Sequence, residues 1–177
     1  GVSVRVMNDD GGPCEPDEIG HLQVAGPNVL PGYWRLPEKN KEEFTTDGFF
    51  KTGDVGKIDA DGYVSIVGRS KDLVISGGYN VYPKEIELLI DELPGVAESA
   101  VIGLPHPDFG EAVAAVVVSS AGGGAPAEAD IIAALKGKLA AFKVPKRVFV
   151  VDDLPRNAMG KVQKNELRKR YASTFVG

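Results

Sequence analysis

The chain has 177 residues, 43% hydrophobic and 25% charged, with a formal net charge of -5. That composition suits one domain or two small ones and excludes a disordered chain, while no apolar run approaches the ~18 residues of a membrane span. GVSVRVMNDDGG at the start is neither a secretory signal nor a transit peptide. Cys14 alone closes no internal disulfide, and with His21 and His106 it is too small a donor set for structural zinc, so a reducing, cytoplasmic setting is expected.

In chain order, VSVRVM (2–7), HLQVA (21–25) and YVSIV (63–67) alternate apolar and other residues, which predicts half-buried strands and a β-rich first third. DADG (59–62) predicts a tight turn with Gly62 at positive φ. KTGD (51–54) lies between two strand-like segments. Its Asp54 has the chemistry to accept hydrogen bonds from both hydroxyls of a ribose, although the bare tripeptide is more often a polar turn. In GRSKDLVISGGYNVYPKEIE (68–87) the texture changes: Gly77 and Gly78 permit either close backbone approach to a ligand or a glycine hairpin. PKEIELLIDEL (83–93) opens with a proline suited to a first helical turn and sets Ile86, Leu89, Ile90 and Leu93 on one face. SAVIGL (99–104) and AVAAVVV (112–118) predict strands. AGGGAPAE predicts a loop before a helix carrying Ile131, Ile132, Leu135 and Leu139, and RVFVV (147–151) predicts a last strand. The boundary between β and α+β structure falls near residues 69–72.

Charge is unevenly distributed. Residues 1–68 hold six Lys/Arg and twelve Asp/Glu, whereas residues 136–170 hold eleven Lys/Arg and three Asp/Glu, a net +8. Such a stretch suits a polyanion (nucleic acid, a phosphorylated cofactor or a membrane surface) or is simply a solvated face. Only Phe142, Phe149 and Tyr171 interleave it, and neither an RNA-recognition motif nor a basic recognition helix is present, so nucleic acid is not expected as a partner. In GLPHPDFGE (103–111), His106 between two prolines reads as part of a shaped surface loop, and Cys14 lacks the basic neighbours of a nucleophile. PRNAMGKVQKNELR (155–168) holds Lys161 behind a proline and a glycine that restrict the backbone in opposite senses, ahead of a short helix.

TGD (52–54), GRSKD with SGGYNVYPKEIE (68–87), GLPHPDFGE (103–111) and LPRNAMGK (154–161), in this order and spacing, resemble the acyl-adenylate-forming enzymes: acyl-CoA synthetases, peptide-synthetase adenylation domains and luciferases. DDLPRNAMGKVQKNELR with GGYNVYPKEIE is most similar to the malonyl-CoA synthetase branch, and Ile75, where luciferases carry lysine, counts against the luciferase branch. The resemblance covers essentially the whole chain but roughly the last third of a typical member. Neither the Ser/Thr/Gly-rich phosphate loop nor the aromatic-Gly-x-Thr-Glu segment of complete members is present, so a fragment inactive by itself is expected.

The resemblance implies an α+β fold: residues 1–71 as the β-rich end of the large domain's barrel, and 72–177 as a mobile α+β lid with its hinge at Lys71. It implies that Asp54 and Arg69 hold the ribose of ATP, and that Lys161 reaches the carboxylate and α-phosphate during adenylation. After rotation, Ser76, Gly77 and Gly78 would line the path of the CoA thiol arm. Mg2+ would arrive with ATP, with no ligands in this chain, and the missing large domain would be the lid's partner. Lys161, expected on an exposed flexible segment, would be a target for a lysine acetyltransferase, because acetylation removes its charge. Asn157 stands where members often carry Ser or Thr. The alternatives are a non-catalytic CoA- or nucleotide-binding module, or another branch acting on medium-chain or aryl acids.

Overall fold

The computed structural model describes residues 1–120, 124 and 126–176. Contacts divide the chain into two units, Gly1–Lys71 and Asp72–Gly177. The first is an antiparallel sheet of four strands in sequence order, β1 (Ser3–Met7), β2 (Gly20–Ala25), β3 (Phe50–Ile58) and β4 (Val64–Arg69). β1, β2 and β4 arise where alternation predicts them, with Val6 and Leu22 turned inward. At the 59–62 turn, Asp59 Oδ1 accepts the amides of Asp61 and Tyr63, and Gly62 takes φ +86°.

Two elements differ from expectation. KTGD is not a link between strands but lies inside β3. α1 (Pro37–Glu43) occupies a stretch with no apolar periodicity, and none of its residues is buried. α1 is anchored instead by Asn40, whose side chain accepts the Tyr33 amide at 2.7 Å and donates to the Tyr33 carbonyl at 3.1 Å. Gly20 and Gly56 pair across β2 and β3. A Cβ on Gly56 would run into the Ser65 carbonyl and the Leu22 side chain, so only glycine fits that crossing.

The second unit holds β5 (Val74–Ser76), β6 (Tyr79–Val81), α2 (Pro83–Asp91), β7 (Val96–His106), β8 (Gly110–Ser119), α3 (Glu128–Lys136), β9 (Arg147–Val151) and α4 (Lys164–Arg170). β8 is central. It pairs antiparallel with β7 along its length and with β5 at Ser76–Gly110, and parallel with β9. Val113, Ala115 and Val117 pack beneath α2 and α3 with Ile86, Ile90, Ile131 and Leu135. Ala114 and Val116 face the other way, against Leu154 and Leu167 of α4. Helices cover both faces of β8, which explains its unbroken apolar run, since a strand with one wet face would alternate. α3 is shorter than expected: Gly137 caps it, and Leu139 reaches the core from the following turn. Half of the predicted AGGGAPAE loop, residues 121–123 and 125, lies outside the described residues. Both units together give the expected α+β class.

Candidate functional site

On the first unit, the TGD segment is a bulge. Along β2, His21 pairs with Val55 and Gln23 with Lys51, so residues 52–54 stand opposite Leu22 alone. The Thr52 hydroxyl satisfies the Leu22 carbonyl at 3.0 Å and accepts the Asp54 amide at 3.0 Å, while Gly53 takes φ +73°. The bulge aims Asp54 at its register partner on β4, Arg69, whose Nε meets Asp54 Oδ1 at 2.9 Å. Arg69 also donates to the Thr52 carbonyl at 3.2 Å, and the Ser70 hydroxyl to Gly53 at 3.1 Å. These residues line a cleft of about 600 Å³ with Tyr33, Glu43 and Phe50. The pair offers a carboxylate acceptor and a guanidinium donor side by side, which suits a vicinal diol. Sequence reasoning did not single out Thr52, Tyr33 or Glu43. Thr52 had a signal, because a hydroxyl two residues before an aspartate commonly closes a local turn.

On the second unit, Ser76 is buried, and Gly77 and Gly78, at φ +58° and +84°, turn the β5–β6 hairpin. The hairpin reading of this segment is thus realised. The Gly77 amide donates to the Phe109 carbonyl at 2.9 Å, and the Ile75 amide to Glu111 at 2.9 Å, which fastens the hairpin to the start of β8. Ser76, Gly77, Tyr79, Phe109, Phe142 and Lys146 line a pocket of about 170 Å³, walled by Tyr79 stacked on Phe142 at 4.6 Å. His106 stacks on Phe109 at 4.6 Å; it is the last residue of β7, paired with Gly110, so only the tight turn 107–109 remains of the surface loop expected there.

Lys161 lies elsewhere on that unit, on a turn closed by the Arg156–Val162 bridge. The turn carries its own hydrogen bonds. Asn157 Oδ1 accepts the amides of Met159 and Lys161, the Asn157 amide donates to the Lys161 carbonyl, and Gly160 takes φ +77°. Asparagine, which departs from the family's usual Ser or Thr, is therefore the residue that caps the turn. Arg156 donates to the Gly160 carbonyl at 2.8 Å and pairs with Glu98, and this pairing raises the Arg156 pKa further.

The basic stretch is less free than its composition suggests. Lys143, Arg147, Arg156, Lys164 and Arg168 pair with Glu85, Glu128, Glu98, Glu87 and Asp72 respectively. Lys161 is exposed and forms no ion pair among the described residues. Lys71 is exposed in the 3-10 turn Ser70–Asp72. The structure thus joins Asp54 to Arg69, and Ser76 to Gly77 and Gly78, and sets Lys161 on a separate turn. Cys14 has its thiol pKa raised by burial and then by Glu18 and Asp9, the opposite of an activated nucleophile. Among the described residues there is no group of three or more metal-ligating side chains and no helix long and apolar enough to cross a membrane.

Residues 85–161 match the family of AMP-binding enzyme C-terminal domains. A feruloyl-CoA synthase of Amycolatopsis sp is 45% identical over 170 residues, 96% of this chain and 34% of that protein. A malonate-CoA ligase of Arabidopsis thaliana is 41% identical over 179 residues, 96% of this chain and 29% of that protein. The solved structure of ATP-bound MatB from Rhodopseudomonas palustris is 60% identical, covers 99% of this chain with 35% of its own, and superposes with a TM-score of 0.92; its apo form gives 0.76 at the same identity and coverage. The chain spans about a third of the length of these relatives.

Proposed function

Because the chain belongs to the acyl-adenylate-forming family and corresponds to the C-terminal portion of its members, we propose that it works as part of an ATP-dependent acyl-CoA synthetase, with malonate as the acid. A carboxylate oxygen attacks the α-phosphorus of ATP and expels pyrophosphate. The CoA thiolate then attacks the acyl carbon, a thioester forms, and AMP leaves with the carboxylate oxygen. The observation that carries this reading is Lys161: an exposed ammonium with no ion pair among the described residues, on a hydrogen-bonded turn, in a stretch where the neighbouring cations Arg156 and Lys164 are held by carboxylates. A cation presented in this way stabilises charge that builds on the transferring phosphoryl group.

Asp54 and Arg69 hold the ribose hydroxyls, one carboxylate oxygen being tied to the guanidinium and the other left for a hydroxyl. The Ser76–Gly78 hairpin, with almost no side chain above its backbone, admits the CoA thiol arm beside the Tyr79–Phe142 wall. Lys71 is the hinge, solvated in the described state. The differing fits to the ATP-bound and apo forms of one relative support a segment that changes shape between steps. Mg2+ enters with ATP, and a cytoplasmic setting belongs to the same reading.

Lys161→Ala in the intact enzyme should lower acid-dependent ATP–pyrophosphate exchange by about 10²–10³-fold while sparing thioester formation from supplied acyl-adenylate. Unchanged exchange would refute the role. Exposed Lys161 is also the site for a lysine acetyltransferase: mass spectrometry with the same exchange assay should find the acetylated enzyme inactive, and full activity would exclude it.

A further inference from the structure

Two cations bracket Lys161 in sequence, and each is held by a carboxylate from another element. Before it, Arg156 bridges the Gly160 carbonyl of the turn to Glu98 on β7. After it, Lys164 opens α4 and donates to Glu87 Oε1 on α2 at 2.6 Å. Glu87 is 6% exposed and also accepts the Val101 amide of β7 at 2.9 Å.

We propose that Glu87 and Glu98 are positioning residues for adenylation: through Lys164 and Arg156 they fix both ends of the turn and thereby the direction from which Lys161 is presented. This rests on the role given to Lys161 above. A buried carboxylate must be paired, and Glu87 takes its partner from the first residue of α4, so α2, β7 and α4 are locked in one register. The internal bonds of the turn, from Asn157, give it shape but not a place. Its place comes from its ends. Lysine is a point charge on a flexible stem, so its reach depends on where its Cα–Cβ bond points. Thioester formation does not use Lys161 and so does not need this mount.

The test measures pyrophosphate exchange and thioester formation from supplied acyl-adenylate in the intact enzyme, for Glu87→Gln, Glu98→Gln and Arg156→Lys, each alone and with Lys161→Ala. Both glutamine variants should lower exchange kcat by about 10- to 100-fold, the cost of a misplacement near 1 Å, with thioester formation unchanged. Arg156→Lys, which keeps the charge and loses the fork, should retain intermediate exchange. None should reduce the residual exchange of Lys161→Ala. Glu98 is partly exposed and keeps the test valid should Glu87→Gln fail to fold. Normal exchange in both glutamine variants, equal losses in both half-reactions, or further loss on top of Lys161→Ala would each overturn the proposal. If Lys161→Ala itself exchanges normally, the role of Lys161 falls and the proposal with it.

Discussion

The two units are built on different interiors. Among the described residues, Asp72–Gly177 buries twenty apolar side chains, most of them in two clusters on opposite faces of β8, whereas Gly1–Lys71 buries three: Val6, Leu22 and Val55. The first unit leaves Trp34 83%, Tyr63 72% and Ile66 66% exposed. A sheet that turns apolar residues outward lacks a layer, while a sheet covered by helices on both faces supplies its own stability. The second unit thus carries its own core. The first is a mount for Asp54 and Arg69, held by strand pairing more than by a core.

This contrast is broken most directly by separating the units. Residues 72–177 expressed alone should melt cooperatively by circular dichroism and residues 1–71 should not; a cooperative melt from 1–71 would erase the difference. Single truncations sharpen it. Leu104→Ala or Ile86→Ala, at fully buried sites of the second unit, should cost about 2–5 kcal/mol in urea unfolding. Ile66→Ala, on the first, should change stability by no more than about 0.5 kcal/mol. The smallest effect lies in the charge contacts that fasten the first unit. Arg5 forks onto Asp47 at 2.6 and 3.0 Å, and this hydrogen bonding, aided by Thr45, lowers the Asp47 pKa from 3.8 to about 2. A depressed carboxylate pKa stabilises the fold above the unfolded value, so the contribution is whole above pH 3.8 and is lost as the pH falls through about 2. In an NMR titration, Arg5→Gln should return the Asp47 midpoint toward 3.8, and an unmoved midpoint would deny the contact any role.

Periodicity made much of this fold legible. β1, β2, α2, β7, β8 and β9 all carry patterns that follow from burial on one face or two, whereas β4 forms where its alternation predicts a strand but leaves Val64 and Ile66 exposed instead of half-buried. α1 was not legible, because its charged sequence has no stripe and its anchor is a side chain, Asn40, bonded to Tyr33. β3 was hidden by its own bulge, since Gly53 and Gly56 read as strand breakers until the partner strands are known. The candidate site divides in the same way. Asp54, Arg69 and Lys161 stand in short motifs through which the family resemblance assigns them roles, but the carboxylates that hold the basic residues are distant in sequence. Glu87 meets Lys164 from 77 positions away, and Asp72 meets Arg168 from 96. Counting charges gave a net +8 stretch, and only the fold shows that five of its cations are already paired.

The measurement that bears most directly on the proposed chemistry is release of AMP and pyrophosphate by the intact enzyme, with malonate, methylmalonate, acetate, a medium-chain acid and a coumarate, with and without CoA. AMP release that depends on CoA and is led by malonate is the predicted result. Absence of AMP with every acid would contradict it.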